Sequence, residues 1–264
     1  MIGAIVGDNV GSAYEFAPTK NYNFKLVTPA SSITDDTIMS LAIADALMQP
    51  TVEPDYRGRM LYWGRKYPNP KGSYGGSFNS WLHSPDPQPY NSFGNGSAMR
   101  VSAIGWVFND LQTVQVQAAA SAEVTHNHAE GIRGAVATAT AVWLARNGYN
   151  KEAIRAEVER LGYNLDFSII NIKPCYGFNE TCQLTVPAAI RCFYESHSYE
   201  DCIRMAVSLG GDADTLACIA GAIAEAYYGE ASIDGQLAAH ALTTLPQDLL
   251  DAYLRFRARF VVGQ

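Results

Sequence analysis

The sequence predicts an all-α fold, and three observations carry that prediction. Apolar residues recur at helical spacing in nearly every periodic stretch. Strand-like alternation is hard to find, and the β-branched residues mostly fall inside helical patterns. Segment 215–228 is apolar almost all round and rich in alanine and glycine, which marks a central helix of a multi-layer bundle.

The first strong pattern is "ITDDTIMSLAIADAL", Ile33 to Leu47. Met39, Ile43, Ala46 and Leu47 share one face while Ile38, Leu41 and Ala42 line another, so this helix is largely buried. Further helical patterns cover 54–67, 98–108, 111–124, 128–147, 151–161, 182–196, 199–209, 215–228 and 246–260. Gly and Pro concentrate in 68–97 and 162–180, which read as long loops, and loops of that length are more often functional than idle. No repeat, low-complexity tail or domain boundary interrupts the pattern, so residues 1–264 are expected to form a single compact domain.

At 48% hydrophobic and 17% charged, the chain can bury a sizeable core. A formal charge of −7 with scattered Lys and Arg argues against a nucleic-acid face or an anionic membrane surface. The five cysteines form no CxxC pair and suit neither a zinc site nor a disulfide framework. The N-terminal stretch lacks a basic region and Asp8 interrupts its apolar run, so it does not read as a signal peptide. A cytoplasmic protein with reduced thiols is the expectation.

Two acidic motifs stand at helix starts. In the first, Asp35 and Asp36 lie between Thr34 and Thr37; in the second, "GGDADT", Asp212 and Asp214 precede Thr215. Thr and Asp are ordinary N-caps, and acidic residues in a first turn favour the helix dipole. A cap needs only one such oxygen, however, and both motifs supply more. Four carboxylates with hydroxyls and no Cys or His make a hard oxygen set, suited to Mg²⁺, Mn²⁺ or Ca²⁺ rather than zinc. If the two helix starts meet, a pair of divalent ions is the natural occupant.

Between them lies "PYNSFGNGSAMR", where Gly94, Asn95 and Gly96 allow close backbone approach ahead of a helix start. Such a turn can cradle a diphosphate; it can also be a plain loop capped by Ser97. Phe93 beside it can stack on a base or simply pack. His126 and His128 open a later helix, but residues two apart diverge there, so zinc is set aside and one ligand contact or a capping role is left. Another Gly/Ser/aromatic loop contains Tyr74, Gly75 and Gly76.

Together the segments "GAIVGDNVGSAYEF", "TDDT", "YGGSFNSWL", "SFGNGSAMR", "THNHAEGIRGA" and "GGDADT" resemble the ADP-ribosylglycohydrolase family, in that family's order and over almost the whole chain. The resemblance implies an orthogonal helical bundle around two divalent cations, Mg²⁺ or Mn²⁺. It implies that Thr34, Asp35 and Asp36 ligate metal from one side and Asp212, Asp214 and Thr215 from the other. Glu15 would stand beside the metals, and the catalytic set would be drawn from Glu15, Asp35 and Asp36, with the acid and the base unranked. Gly75, Ser92, Phe93, Gly94, Asn95, Gly96, Ser97 and His126 would bind ADP-ribose, Phe93 against adenine. The short loop between Glu15 and Thr34 suggests a comparatively open rim.

The reaction implied is hydrolysis of the bond between ADP-ribose and a modified group. An ADP-ribosylated protein or a small ADP-ribose conjugate would be the partner. Arginine is the preferred linkage; ADP-ribosyl-serine, an O-acetyl ester and a non-catalytic ADP-ribose-binding role are the alternatives.

Overall fold

The computed structural model describes residues 1–262 of the chain. Helix α1 (Ile2–Gly11) is buried along its whole length. Its Gly3, Gly7 and Gly11 make it a poor helix in isolation, since a glycine costs about 1 kcal/mol relative to alanine. That is why periodicity did not reveal it. Then come α2 (Asp35–Met48), α3 (Tyr56–Lys66), α4 (Gly76–His83), and the short α5 (Gly96–Met99) and α6 (Ile104–Val107). The middle of the chain forms α7 (Leu111–Glu123), α8 (Ala129–Arg146), α9 (Lys151–Arg160) and the single turn α10 (Ile169–Ile172). It closes with α11 (Cys182–Glu195), α12 (Tyr199–Ser208), α13 (Ala213–Tyr228), α14 (Gly235–Thr243) and α15 (Gln247–Phe260).

The fold is all-α: the described residues contain no β-strand, only isolated bridges pairing Thr34 with Lys71 and Gly94 with Thr181. Helix α13 is the centre, packed against α1, α8, α11 and α12. Every residue from Ala213 to Glu225 is buried. Small side chains at this centre let backbones meet. A Cβ built on Gly3, Gly7 or Gly11 would lie 2.3, 2.0 or 2.3 Å from the carbonyl oxygens of Gly221, Ala217 and Ala213. No side chain but hydrogen fits there. This contact brings Asp8 of α1 alongside the start of α13.

Three further differences from the sequence reading have local causes. Segment 68–97 is not all loop: it contains α4, whose buried residues Phe78, Trp81 and Leu82 span barely a turn, too short for a period to show. The pattern 98–108 is α5 and α6 separated by a 3₁₀ turn at Val101–Ala103. Helix α14 lies outside the predicted helical patterns, although Asp234 caps it by accepting from the N–H groups of Gln236 and Leu237. All five cysteines are free. No helix among the described residues is long and apolar enough to cross a membrane.

Candidate active site

The N-terminus of α2 is built over a buried acid that the sequence reading treated only as an interruption. Asp8 is fully buried and accepts from the Thr34 N–H (3.0 Å), the Thr34 hydroxyl (2.9 Å), the Thr37 N–H (3.1 Å) and the Thr37 hydroxyl. An anion is favoured at this end of a helix. Its signal was an Asp inside an apolar glycine-rich run. Thr34 also caps α2 by accepting from the Asp36 N–H at 3.2 Å, so one lone pair of its hydroxyl is still free.

Asp36 is 2% exposed, with one oxygen 3.4 Å from the Thr215 hydroxyl. Asp212 accepts from the Asn95 amide at 2.7 Å, and the Thr215 N–H donates to Asp214 at 3.0 Å. Glu15, Asp212 and Asp214 each offer a carboxylate oxygen within 4.8 Å of the others. The two acidic motifs and Glu15 therefore converge, as the spacing of helix starts alone could not establish. Lys71, absent from the sequence reading, reaches this region and donates to Ser12 at 3.1 Å and to the Ala30 carbonyl.

Burial and mutual repulsion dominate the electrostatics. Desolvation, then the charge of Asp214, holds Asp35 and Asp36 well above the ordinary carboxylate range. Asp214 is raised well above it too, by burial and then by Asp212. Burial lifts Glu15 to about 8 and Asp212 to about 6. Asp8 also stands at about 6, its burial opposed by the hydrogen bonds from Thr34 and Thr37.

All of these acids but Asp8 line one end of a cavity of about 470 Å³. Glu15, Asp35, Asp36, Asp212, Asp214 and Thr215 form that end, while Gly75, Ser92, Gly94, Asn95, Gly96 and His126 line the rest. Three expected site residues are not on its wall. Thr34 lies behind it, Ser97 is fully buried with its hydroxyl on the Gly131 carbonyl at 2.7 Å, and Phe93 points its half-exposed ring at His128, 5.4 Å between centroids. His126 shares a 2.7 Å hydrogen bond with the Thr125 hydroxyl; burial and then Arg100 push its pKa well down, which keeps it neutral. Arg100 was also missed. It is 1% exposed, lines the cavity, and has an Nε without a hydrogen-bond partner among the described residues.

The residues present fit divalent cations. Asp36 Oδ2 and Glu15 Oε2 are buried carboxylate oxygens without a hydrogen-bond partner among the described residues, which is costly unless something positive meets them. The donors are all hard oxygens, so the set suits a hard ion.

A family model described as ADP-ribosylglycohydrolase matches residues 1–258. The chain belongs to the ADP-ribosylglycohydrolase family. Among curated relatives, ADP-ribosylhydrolase ARH3 of Mus musculus is 28% identical, the match covering 87% of this chain and 82% of that protein. ADP-ribosylarginine hydrolase Tri1 of Pseudomonas putida (strain GB-1) is 27% identical, covering 87% and 69%. A solved structure described as an ADP-ribosylglycohydrolase-related protein complex superposes with a TM-score of 0.74 at 25% identity, covering 97% of this chain and 96% of its own. The likeness extends through the helices that carry the acidic cluster, so this family member keeps the architecture on which the site is built.

Proposed function

We propose that the protein is a divalent-metal-dependent hydrolase that releases ADP-ribose from arginine side chains of modified proteins. The observation that carries this reading is the ring of carboxyls around one cavity, with Glu15 Oε2 and Asp36 Oδ2 left without partners.

Two Mg²⁺ or Mn²⁺ ions held by Thr34, Asp35 and Asp36 on one side and Asp212, Asp214 and Thr215 on the other would supply Lewis acidity and a more acidic water. The other roles belong to the chain itself. Ser92, Gly94, Asn95 and Gly96 support the diphosphate and adenosine, with neutral His126 against the ligand. Glu15 or Asp36 moves the proton: one carboxyl takes it from the attacking water and the leaving nitrogen receives one as the C1″–N bond breaks. Such a bond breaks through an oxocarbenium-like transition state, which the surrounding carboxylates favour.

Acidity also supports the linkage. Glu15, Asp35, Asp36, Glu180, Asp212 and Asp214 line the cavity, whose one arginine, Arg100, is fully buried, so the wall is acidic and suits a cationic leaving group. A relative named for ADP-ribosylarginine points the same way.

The test is to incubate the protein, with Mg²⁺ and with chelator, on substrates carrying ADP-ribose on arginine and on serine, and to quantify free ADP-ribose. Metal-dependent release from the arginine substrate is expected. Release from serine alone would reassign the linkage, and binding of ADP-ribose without release from either would make this a binding protein.

A further inference from the structure

Phe16 and Phe178 come from distant parts of the chain, yet their rings stack with centroids 6.3 Å apart and planes at 27°. Both line the acidic cavity, and both are largely in water, 70% and 50% exposed. Phe16 directly follows Glu15. Phe178 rides on a segment that is pinned on either side of it. On one side Tyr176 lies against Gly211, where a Cβ would be 2.5 Å from the tyrosine ring; on the other the Glu180 carbonyl accepts from the Asn95 N–H at 2.7 Å. Lys20 ties the two segments together by donating to the Tyr176 carbonyl at 2.6 Å. The pair is thus held at the rim, beside the carboxyls and outside the glycine turn.

The surroundings select what such a pair would meet. Glu15, Asp35, Asp36, Glu180, Asp212 and Asp214 are on the cavity wall, whereas its arginine, Arg100, is fully buried. Aromatic faces attract a cation lying within about 6 Å of the ring centre. A guanidinium is flat, weakly hydrated and stacks on such faces. Serine or an ester brings no positive charge to such a face.

We propose that Phe16 and Phe178 form the rest on which the guanidinium of the modified arginine lies, making them specificity-determining residues for the leaving group. This rests on the functional reading above. The pair positions the bond beside Glu15 and takes no part in proton transfer.

The experiment is steady-state kinetics on an ADP-ribosyl-arginine peptide with Mg²⁺, for the wild type, Phe16→Ala, Phe178→Ala and the double variant. Inhibition by free ADP-ribose, which lacks the guanidinium, is measured alongside. The double variant should raise KM about tenfold, with the ADP-ribose inhibition constant changed by less than about twofold. Phe16→Tyr and Phe178→Tyr should recover the KM that alanine loses, since a ring face is what the contact needs. An unchanged KM in the double variant, or an inhibition constant that rises in step with KM, overturns the inference while leaving the hydrolase reading intact. A wild type that does not cleave the arginine peptide overturns both.

Discussion

Asn95 donates a 2.7 Å hydrogen bond from its side-chain amide to Asp212, tying the glycine turn to the acidic cluster. The same amide reaches the Thr185 hydroxyl at 3.2 Å, so Asn95 is fixed from two sides. Both ends of the cavity therefore share one buried strut. Asn95→Ala should weaken cation binding and ADP-ribose binding together, by about ten- to a hundredfold, the range for a lost bond to a charged group. Calorimetric titration with Mn²⁺ and with ADP-ribose checks this; a change in only one of the two would show that the ends act separately.

Asp214 sits closer to the proposed chemistry than His126. Asp214→Ala should abolish stoichiometric metal and cut turnover more than about a hundredfold, because it removes a ligand from an electrostatic site. His126→Ala removes a neutral side contact and should cost less. Metal analysis of the purified variants beside their turnover tests the order; near-normal metal content and rate in Asp214→Ala would contradict a bimetallic centre.

The metal-free protein should respond to pH through its carboxyls. Glu15 rises from 4.5 to about 8, and Asp35, Asp36 and Asp214 also stand well above 3.8. A folded-state pKa above the unfolded one means that stability is full below the unfolded value and is lost as pH climbs through the folded one. His126 is shifted the other way, below 6.5, and so drops out above that pH. In chelator the melting temperature should fall from about pH 6.5 to about pH 8, and Mn²⁺ should restore it at the alkaline end. Thermal melts at several pH values decide it, a flat profile in chelator being the contrary result.

Gly7→Ala would drive a methyl group to 2.0 Å from the Ala217 carbonyl oxygen. Overpacking of this kind costs about 3 kcal/mol or more when backbone must move. Gly235→Ala makes a fair control, because a Cβ there meets nothing within 4 Å. Denaturant unfolding should show a large loss for the first and almost none for the second.

Much of this architecture was legible from residue order, for reasons that differ by element. The long amphipathic and apolar helices announce themselves because one period is repeated several times, and the paired acidic motifs because they exceed what a cap can use. Helix α1 was hidden because its stability comes from contact with α13 and not from its own glycine-rich sequence. Asp8, Lys71 and Arg100 were missed for a related reason: each matters through partners remote in the chain, and a lone charge in a sequence has no visible partner. Phe16 and Phe178 make the same point, since only folding puts one ring on the other.

Main chain pressed on main chain between α1 and α13 leaves nothing that can flex to let the helices slide. The backbones bearing Asp8 and Asp214 are therefore held at close range. Whatever yielding is needed to admit and release a substrate then falls to the rim, to the loops bearing Glu15, Gly72 and Phe178, over an unyielding floor.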